Sequence, residues 1–318
     1  MKIKPEERIG QYRGIYELLY KFPLISKSKM AELLGIHWIT LNNRLTEAHR
    51  NQYIIGPETR KCSHANTLEY IYFFNTEEPD ITYMKYREDP RVVYNAQLYG
   101  FCNSLVISKE EIEIDGEILL KGPRSDYYIP FTPDHSFERA LQTMQKKIQH
   151  FSPHDYTPRE FIKTHWNETV KWDEDDEKIY RFLKYDLRKK KGSFIERNWI
   201  SVGKINYWFE TLDKRCTIHT SFYPETLTKY QSYLSMFDTD YEDFVIEVFS
   251  ELPASPSFFK VQDRLILIDY YPGKFMNDVY TQTSEILSIP PLEVELLTEG
   301  IVKKKQRAMV GRSWKKDL

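Results

Sequence analysis

Apolar side chains recur at helical spacing over residues 8–21, where Ile9, Tyr12, Ile15, Tyr16 and Leu19 share one face, and this period predicts an amphipathic helix. Phe22-Pro23 ends it, because proline disfavours helical geometry in the residue before it. Ser26 or Ser28 can then cap a second helix, 29–34, with Met30, Leu33 and Leu34 turned inward. Gly35 can take the left-handed conformation that closes a helix and lets the chain turn sharply. A third helix, 37–50, follows, with Ile36, Leu41, Leu45 and Ala48 on its buried side. The spacing is that of a helix-turn-helix. A short strand from about residue 51 then leads into a wing, residues 54–61, bearing Arg60 and Lys61.

The pattern returns more faintly later in the chain. Asp173 to Glu177 places five carboxylates at a helix start, and Ile179, Phe182, Leu183 and Leu187 form its apolar face. Residues 200–209 align with 36–45, matching Ile205 to Leu41, Asn206 to Asn42 and Phe209 to Leu45. Beyond them, residues 216–223 alternate as a strand, 227–237 read as a helix, 257–263 and 264–271 as strands, about 274–287 as a helix and 292–297 as a last strand. That βαββαβ order is ferredoxin-like. The first half offers a looser version, with strands near 67–75, 92–99 and 103–108, an extra hairpin near 111–128, and a helix from about His135 to Phe151. The expected fold is therefore α+β: a winged helix-turn-helix followed by a ferredoxin-like α/β domain, duplicated. The expected boundaries are a winged helix at 1–62, a divergent ferredoxin-like domain at 63–151 and a linker at 152–172. A second, degenerate winged helix at 173–215, a ferredoxin-like domain at 216–302 and a basic tail at 303–318 complete the chain.

Charge sharpens this picture. The 318 residues carry a net charge of −2, yet residues 1–61 hold eleven Lys/Arg against six Asp/Glu, residues 178–215 eleven against four, and residues 303–318 seven against one. Positive charge is thus gathered into three patches on an acidic body, an arrangement suited to holding a polyanion selectively. The run Arg188 to Lys191 has a second explanation, since cations are favoured at a helix C-terminus. With 23 Tyr, 18 Phe and 41% apolar residues, the composition is that of a folded protein. No run of eighteen apolar residues occurs and the first residues lack a signal-peptide core, so a cytoplasmic location and no membrane partner are expected. Cys62, Cys102 and Cys216 have no metal or disulfide spacing and read as reduced structural thiols.

On the third helix, His37, Trp38, Thr40, Asn42, Asn43 and Thr46 face outward, with Arg44 and Arg50 nearby. Amide groups can bond an adenine edge in the major groove, and aromatic or methyl groups can pack on thymine. Lys27 and Lys29 before this helix, and Arg60 and Lys61 on the wing, are placed to meet phosphates. Lys204, Asn206 and Tyr207 occupy the corresponding helix of the second copy. Two alternatives stay open: Trp38 can plug a neighbouring domain, and Arg44 can pair with Glu32 as architecture.

The runs Met30-Ala-Glu-Leu-Leu-Gly-Ile36, Thr40-Leu-Asn-Asn-Arg-Leu45 and Asn51-Gln-Tyr-Ile-Ile-Gly-Pro57 resemble the winged helix-turn-helix of Lrp/AsnC-type regulators over about 60 residues. The resemblance implies an archaeal transcription regulator that binds double-stranded DNA. It also implies a small-molecule effector at the ferredoxin-like domains, and a homodimer or an internal pseudo-dimer of the two halves. Residues 192–199 depart from the family pattern, which puts base reading by the second copy in doubt. An enzymatic alternative also comes from resemblance. Siroheme decarboxylases look like relatives of the same regulators and work as a pair of subunits, so a fused pair would have about this length. Such an enzyme needs cations for carboxylates and a His or Tyr beside the macrocycle, and His64, His219 and Arg264 are the candidates. A protein-interaction scaffold with degenerate winged helices is the third class. Phosphate-binding glycine loops, a nucleophile elbow and an H-E-x-x-H metal motif are absent, and Pro153 interrupts His150 and His154. No cofactor and no metal are expected.

Overall fold

The computed structural model describes residues 4–272 and 289–316. They form a mixed α+β structure with antiparallel sheets, divided into two units that each draw on two stretches of the chain. The first unit contains residues up to Lys61 together with Lys171–Lys229, and the second contains Cys62–Val170 together with Tyr230 onward.

In the first unit, helices α1 (Pro5–Lys21), α2 (Lys27–Leu33) and α3 (Trp38–Arg50) enclose Tyr12, Ile15, Tyr16, Leu19, Met30, Leu41 and Leu45. Ser26 caps α2 by accepting the backbone N–H of Lys29. Gly35 turns the chain at φ +62°. Leu33 departs from expectation: it lies on the outer side of its helix and is exposed. A second helical group, α6 (Glu174–Leu183), α7 (Gly192–Asn198), α8 (Val202–Glu210) and α9 (Leu212–Arg215), closes around Ile179, Leu183, Ile205 and Trp208. One antiparallel ladder serves both groups, pairing β1 (Ile54–Lys61) with β6 (Cys216–Phe222) from Ile54 opposite Phe222 to Lys61 opposite Cys216. The expected free wing at 54–61 is therefore corrected: this strand is hydrogen-bonded to a segment more than 150 residues away, which local patterning cannot reveal.

The second unit is built on one eight-stranded antiparallel sheet. Its strands are β2 (Tyr70–Asn75), β3 (Val92–Gly100), β4 (Ser104–Ser108), β5 (Glu117–Pro123), β7 (Tyr230–Asp238), β8 (Ser257–Val261), β9 (Arg264–Pro272) and β10 (Lys304–Lys315). They lie in the order β5-β2-β4-β3-β10-β7-β9-β8. Beyond β5, Arg124 and Tyr128 bridge Val261 and Phe258 of β8, so the two outer strands meet and the sheet closes on itself. Closure removes exposed strand edges. Alternating residues split between the faces: Ile71, Phe73, Leu98, Leu105, Leu234 and Ile266 fill one core, whereas Phe237, Leu265, Leu267 and Tyr271 pack with helices on the other. The helices there are α5 (Phe137–Gln149), α10 (Glu242–Phe249) and α11 (Ile289–Thr298). Helix α4 (Pro79–Glu88) lies against β3 and β4.

Several expectations change here. The basic tail at 303–318 is instead a central strand, β10, paired to β3 on one side and β7 on the other. Residues 292–297 are helical, because Leu292, Glu293 and Leu296 are buried while Val294 is exposed, a pattern that fits a helical turn and not alternation. Residues 227–237, expected as a helix, form a short 3-10 turn and then β7. The linker at 152–172 is packed: Asp243 accepts the backbone N–H groups of Arg159, Glu160 and Phe161, and Ile162 enters the core. The expected helix at 274–287 lies outside the described residues. Among the described residues, no helix is long and apolar enough to cross a membrane.

Candidate functional site

The residues expected to face DNA lie in the first unit, and many of them are engaged within it. Asn42 accepts a hydrogen bond from Lys27 Nζ at 2.8 Å and donates to the Trp38 carbonyl at 3.0 Å. His37 caps its own helix by accepting the Ile39 N–H, and Lys29 pairs with Glu32 at 2.7 Å. Arg44 donates to Gln11 at 2.7 Å and to Glu47 at 2.8 Å, and Glu32, its expected partner, is paired with Lys29 instead. Thr40 is half-buried, Asn43, Thr46 and Arg50 are exposed, and Trp38 is 52% exposed.

The cations of the expected wing are also paired. Arg60 reaches Glu58 at 3.1 Å, and Lys61 reaches Glu177 at 2.5 Å while lying over the rings of Trp172 and Tyr180. Burial alone would raise the Glu177 carboxyl, but the hydrogen bond and charge of Lys61, helped by Arg181 and Trp172, bring it down to about 2. Lys204 binds Asp173 at 2.7 Å and Asp176 at 2.9 Å. Asn206 is exposed, and Tyr207 has the Arg215 guanidinium 5.7 Å from its ring.

Of the residues named for the enzymatic alternative, Arg264 is held by Asp238 at 2.8 Å. His219 is buried in the first unit, its Nε2 2.7 Å from Thr217 Oγ1. His64 lies in the second unit and has company that spacing along the chain could not show.

The His64 ring stacks on that of His165, with centroids 4.7 Å apart and planes 20° from parallel. His64 is 4% exposed and its Nδ1 has no hydrogen-bond partner among the described residues. Burial, and then the neighbouring His165, push its pKa down, which keeps the imidazole neutral. His165 Nδ1 lies 3.1 Å from Glu168 Oε2, and its Nε2 lies 3.5 Å from Asp126 Oδ2. Asp126 is fixed in turn by the Ser63 backbone N–H at 2.7 Å, and Ser63 Oγ accepts the His165 backbone N–H at 3.2 Å. Cys62 lies within reach of Asp126 and His165. Sequence reasoning named His64 but missed Asp126 and the His165–Glu168 stretch, which lie far from it along the chain.

A second polar group is buried in the same unit. Alternation along the strands puts Tyr233 and Ser235 of β7, Asp269 and Tyr271 of β9, and Lys305 and Arg307 of β10 on one face. Tyr271 donates to Asp269 Oδ2 at 2.6 Å, while Asp269 Oδ1 has no partner among the described residues. Arg307 lies over the rings of Tyr233 and Tyr271, 3.5 Å from Asp269 and 2.9 Å from Glu293 of α11, which Lys305 also contacts. Asp269 is fully buried, and desolvation outweighs the pull of Arg307, so its carboxyl is pushed up to about 6. A carboxyl so placed can hold a proton near neutral pH and release it.

No protein-family model matches the chain, and no curated protein matches its sequence. Among solved structures, the chain is similar to the crystal structure of the siroheme decarboxylase NirDL, at 12% identity and a TM-score of 0.50, over 96% of this chain and 92% of that one. The same enzyme in co-complex with an iron-uroporphyrin III analogue aligns over the same shares of both chains at 12% identity and a TM-score of 0.49. At this identity the likeness shows the fold. It nevertheless corrects the expectation of an archaeal Lrp/AsnC-type transcription regulator with double-stranded DNA as partner: the whole-length structural likeness is to a decarboxylase. The paired state of Asn42, Arg44, Arg60, Lys61 and Lys204 agrees with that correction.

Proposed function

We propose that this protein is an enzyme of the siroheme decarboxylase type, removing carbon dioxide from a carboxylate arm of a tetrapyrrole. The observation that carries the reading is the extent of the likeness, 96% of this chain and 92% of the enzyme, which takes in both units and not merely a helix-turn-helix. We further read the fold as a duplicated winged-helix plus ferredoxin-like plan. In its support, β5-β2-β4-β3 and β10-β7-β9-β8 each run fourth-first-third-second in chain order, the ferredoxin-like arrangement.

Decarboxylation breaks one carbon–carbon bond. Carbon dioxide leaves without the bonding electrons, and the carbon that keeps them takes up one proton. A general acid with a pKa close to working pH serves that step. Asp269, pushed up to about 6 beside Tyr271 and Arg307, fits the role better than His64, whose lowered pKa leaves it neutral. The test is anaerobic incubation of the full chain with siroheme, with the product read by mass spectrometry. Loss of carbon dioxide from the tetrapyrrole is expected, and an unchanged mass overturns the reading. Asp269→Asn should retain tetrapyrrole binding, followed by the absorbance of the macrocycle, and lose most of its turnover.

A further inference from the structure

We propose that His64, His165 and Glu168 form a binding site for a divalent transition-metal ion of the zinc class, with Asp126 orienting His165 from behind. One donor atom from each of the three lies within 4.8 Å of the other two. Tetrahedral zinc with bonds of roughly 2.0–2.2 Å to nitrogen and oxygen brings its donors to roughly 3.4 Å from each other. His165 Nδ1 and Glu168 Oε2, at 3.1 Å, already have that separation. The Glu168 side chain is largely exposed and can adjust around the ion.

An independent observation points the same way. A buried imidazole nitrogen without a partner is uncommon, because leaving it unsatisfied sacrifices the hydrogen bond it would make in water. His64 Nδ1 is in this position. A metal ion satisfies such an atom without needing a proton on it.

The surroundings are those of a metal-ligating histidine. Asp126 faces the far nitrogen of His165 at 3.5 Å and is itself anchored by the Ser63 N–H. A carboxylate in this place fixes the ring orientation and raises its basicity as a ligand. The backbone frame is pinned on both sides: Ala65 N–H donates to the Glu168 carbonyl, Glu168 N–H to the His165 carbonyl, and Thr67 N–H to the His64 carbonyl. Two histidines and one glutamate leave a fourth coordination position open, as in zinc sites that bind water or substrate. His165 and Glu168 face the surface and give that position access.

This inference does not rest on the decarboxylase reading, and its test needs no tetrapyrrole. The full chain, stripped with chelator, is titrated with Zn2+ by calorimetry and with Co2+ by visible absorption, whose intensity reports a four-coordinate site. One equivalent is expected, with a rise in melting temperature on Zn2+ addition. Glu168→Gln and His165→Gln should each weaken binding by more than tenfold, and Asp126→Asn by about 10- to 100-fold. His64→Ala should abolish the four-coordinate Co2+ spectrum; should that variant fail to fold, exposed Glu168 carries the test alone. Asp269→Asn should leave metal binding untouched. Binding that survives both Glu168→Gln and His165→Gln, or that is lost in Cys62→Ser and kept in Glu168→Gln, overturns the proposal.

Discussion

Lys61, the last residue of β1, gives its ammonium group to Glu177 of α6 across 2.5 Å, between the rings of Trp172 and Tyr180. A cation expected at the tip of a wing is thereby the clasp between residues 1–61 and 171–229 of the first unit. The two side chains are largely shielded, and Trp172 adds a hydrogen bond to the same carboxylate at 2.9 Å. A double-mutant cycle with Lys61→Met and Glu177→Gln should give a coupling of about 1 kcal/mol in denaturant unfolding, at the upper end for an ion pair that keeps some water. The pair also sets an acid limb. Glu177 falls from 4.5 to about 2 on folding, so its stabilisation is present above 4.5 and lost as pH falls toward 2. Glu177→Gln should flatten that limb, and an unaltered acid profile would show the pair to be dispensable.

Asp269 has the opposite sign. Its carboxyl rises from 3.8 to about 6 on folding, so its own contribution to stability is fully present below 3.8 and is lost as pH rises through 6. Asp269→Asn keeps the shape and cannot ionise. It should remove a decline on the order of 2–3 kcal/mol between those limits. Thermal unfolding measured across that range checks this, and parallel curves for the two proteins would place Asp269 outside the titration.

Two glycines should respond to alanine in opposite directions. Gly35 has φ +62° with open space around a Cβ, so Gly35→Ala meets only the left-handed backbone penalty, about 1 kcal/mol of lost stability. Gly10 lies exposed within α1, also with open space, and Gly10→Ala should stabilise by roughly 0.5–1 kcal/mol. Urea midpoints of the two variants decide it; equal shifts would contradict the backbone assignment.

Ending the chain at Val302 should unfold the second unit, because β10 is the strand that joins β3 to β7. Its loss exposes two strand edges and uncovers core side chains that pack with Ala308, Leu98 and Leu234 among them. A cooperative melting transition that survives this truncation would restore residues 303–318 to the status of a tail.

Local period and punctuation alone were enough for α1, α2, α3 and for most of the strands at 70–75, 92–100, 104–108, 257–261 and 264–272. Apart from Leu33 of α2, which is exposed, the buried face follows from side-chain spacing, and Pro23, Ser26 and Gly35 mark where helices stop and start through their own backbone chemistry. The same reasoning failed where meaning depends on a distant partner. Arg60, Lys61 and Lys204 look like free cations until Glu58, Glu177, Asp173 and Asp176 are brought beside them. The basic run at 303–307 reads as a tail, yet it supplies Lys305 and Arg307 to Glu293 and Asp269 within a closed sheet. The imidazole pair is the sharpest case, since His64 and His165 are separated by about a hundred residues and share no spacing rule. Amphipathic period is a property of neighbouring residues and survives in sequence. Which charges are neutralised, and which donors converge on one point, is set by strand pairing and loop packing across the whole chain, and only the folded structure holds that.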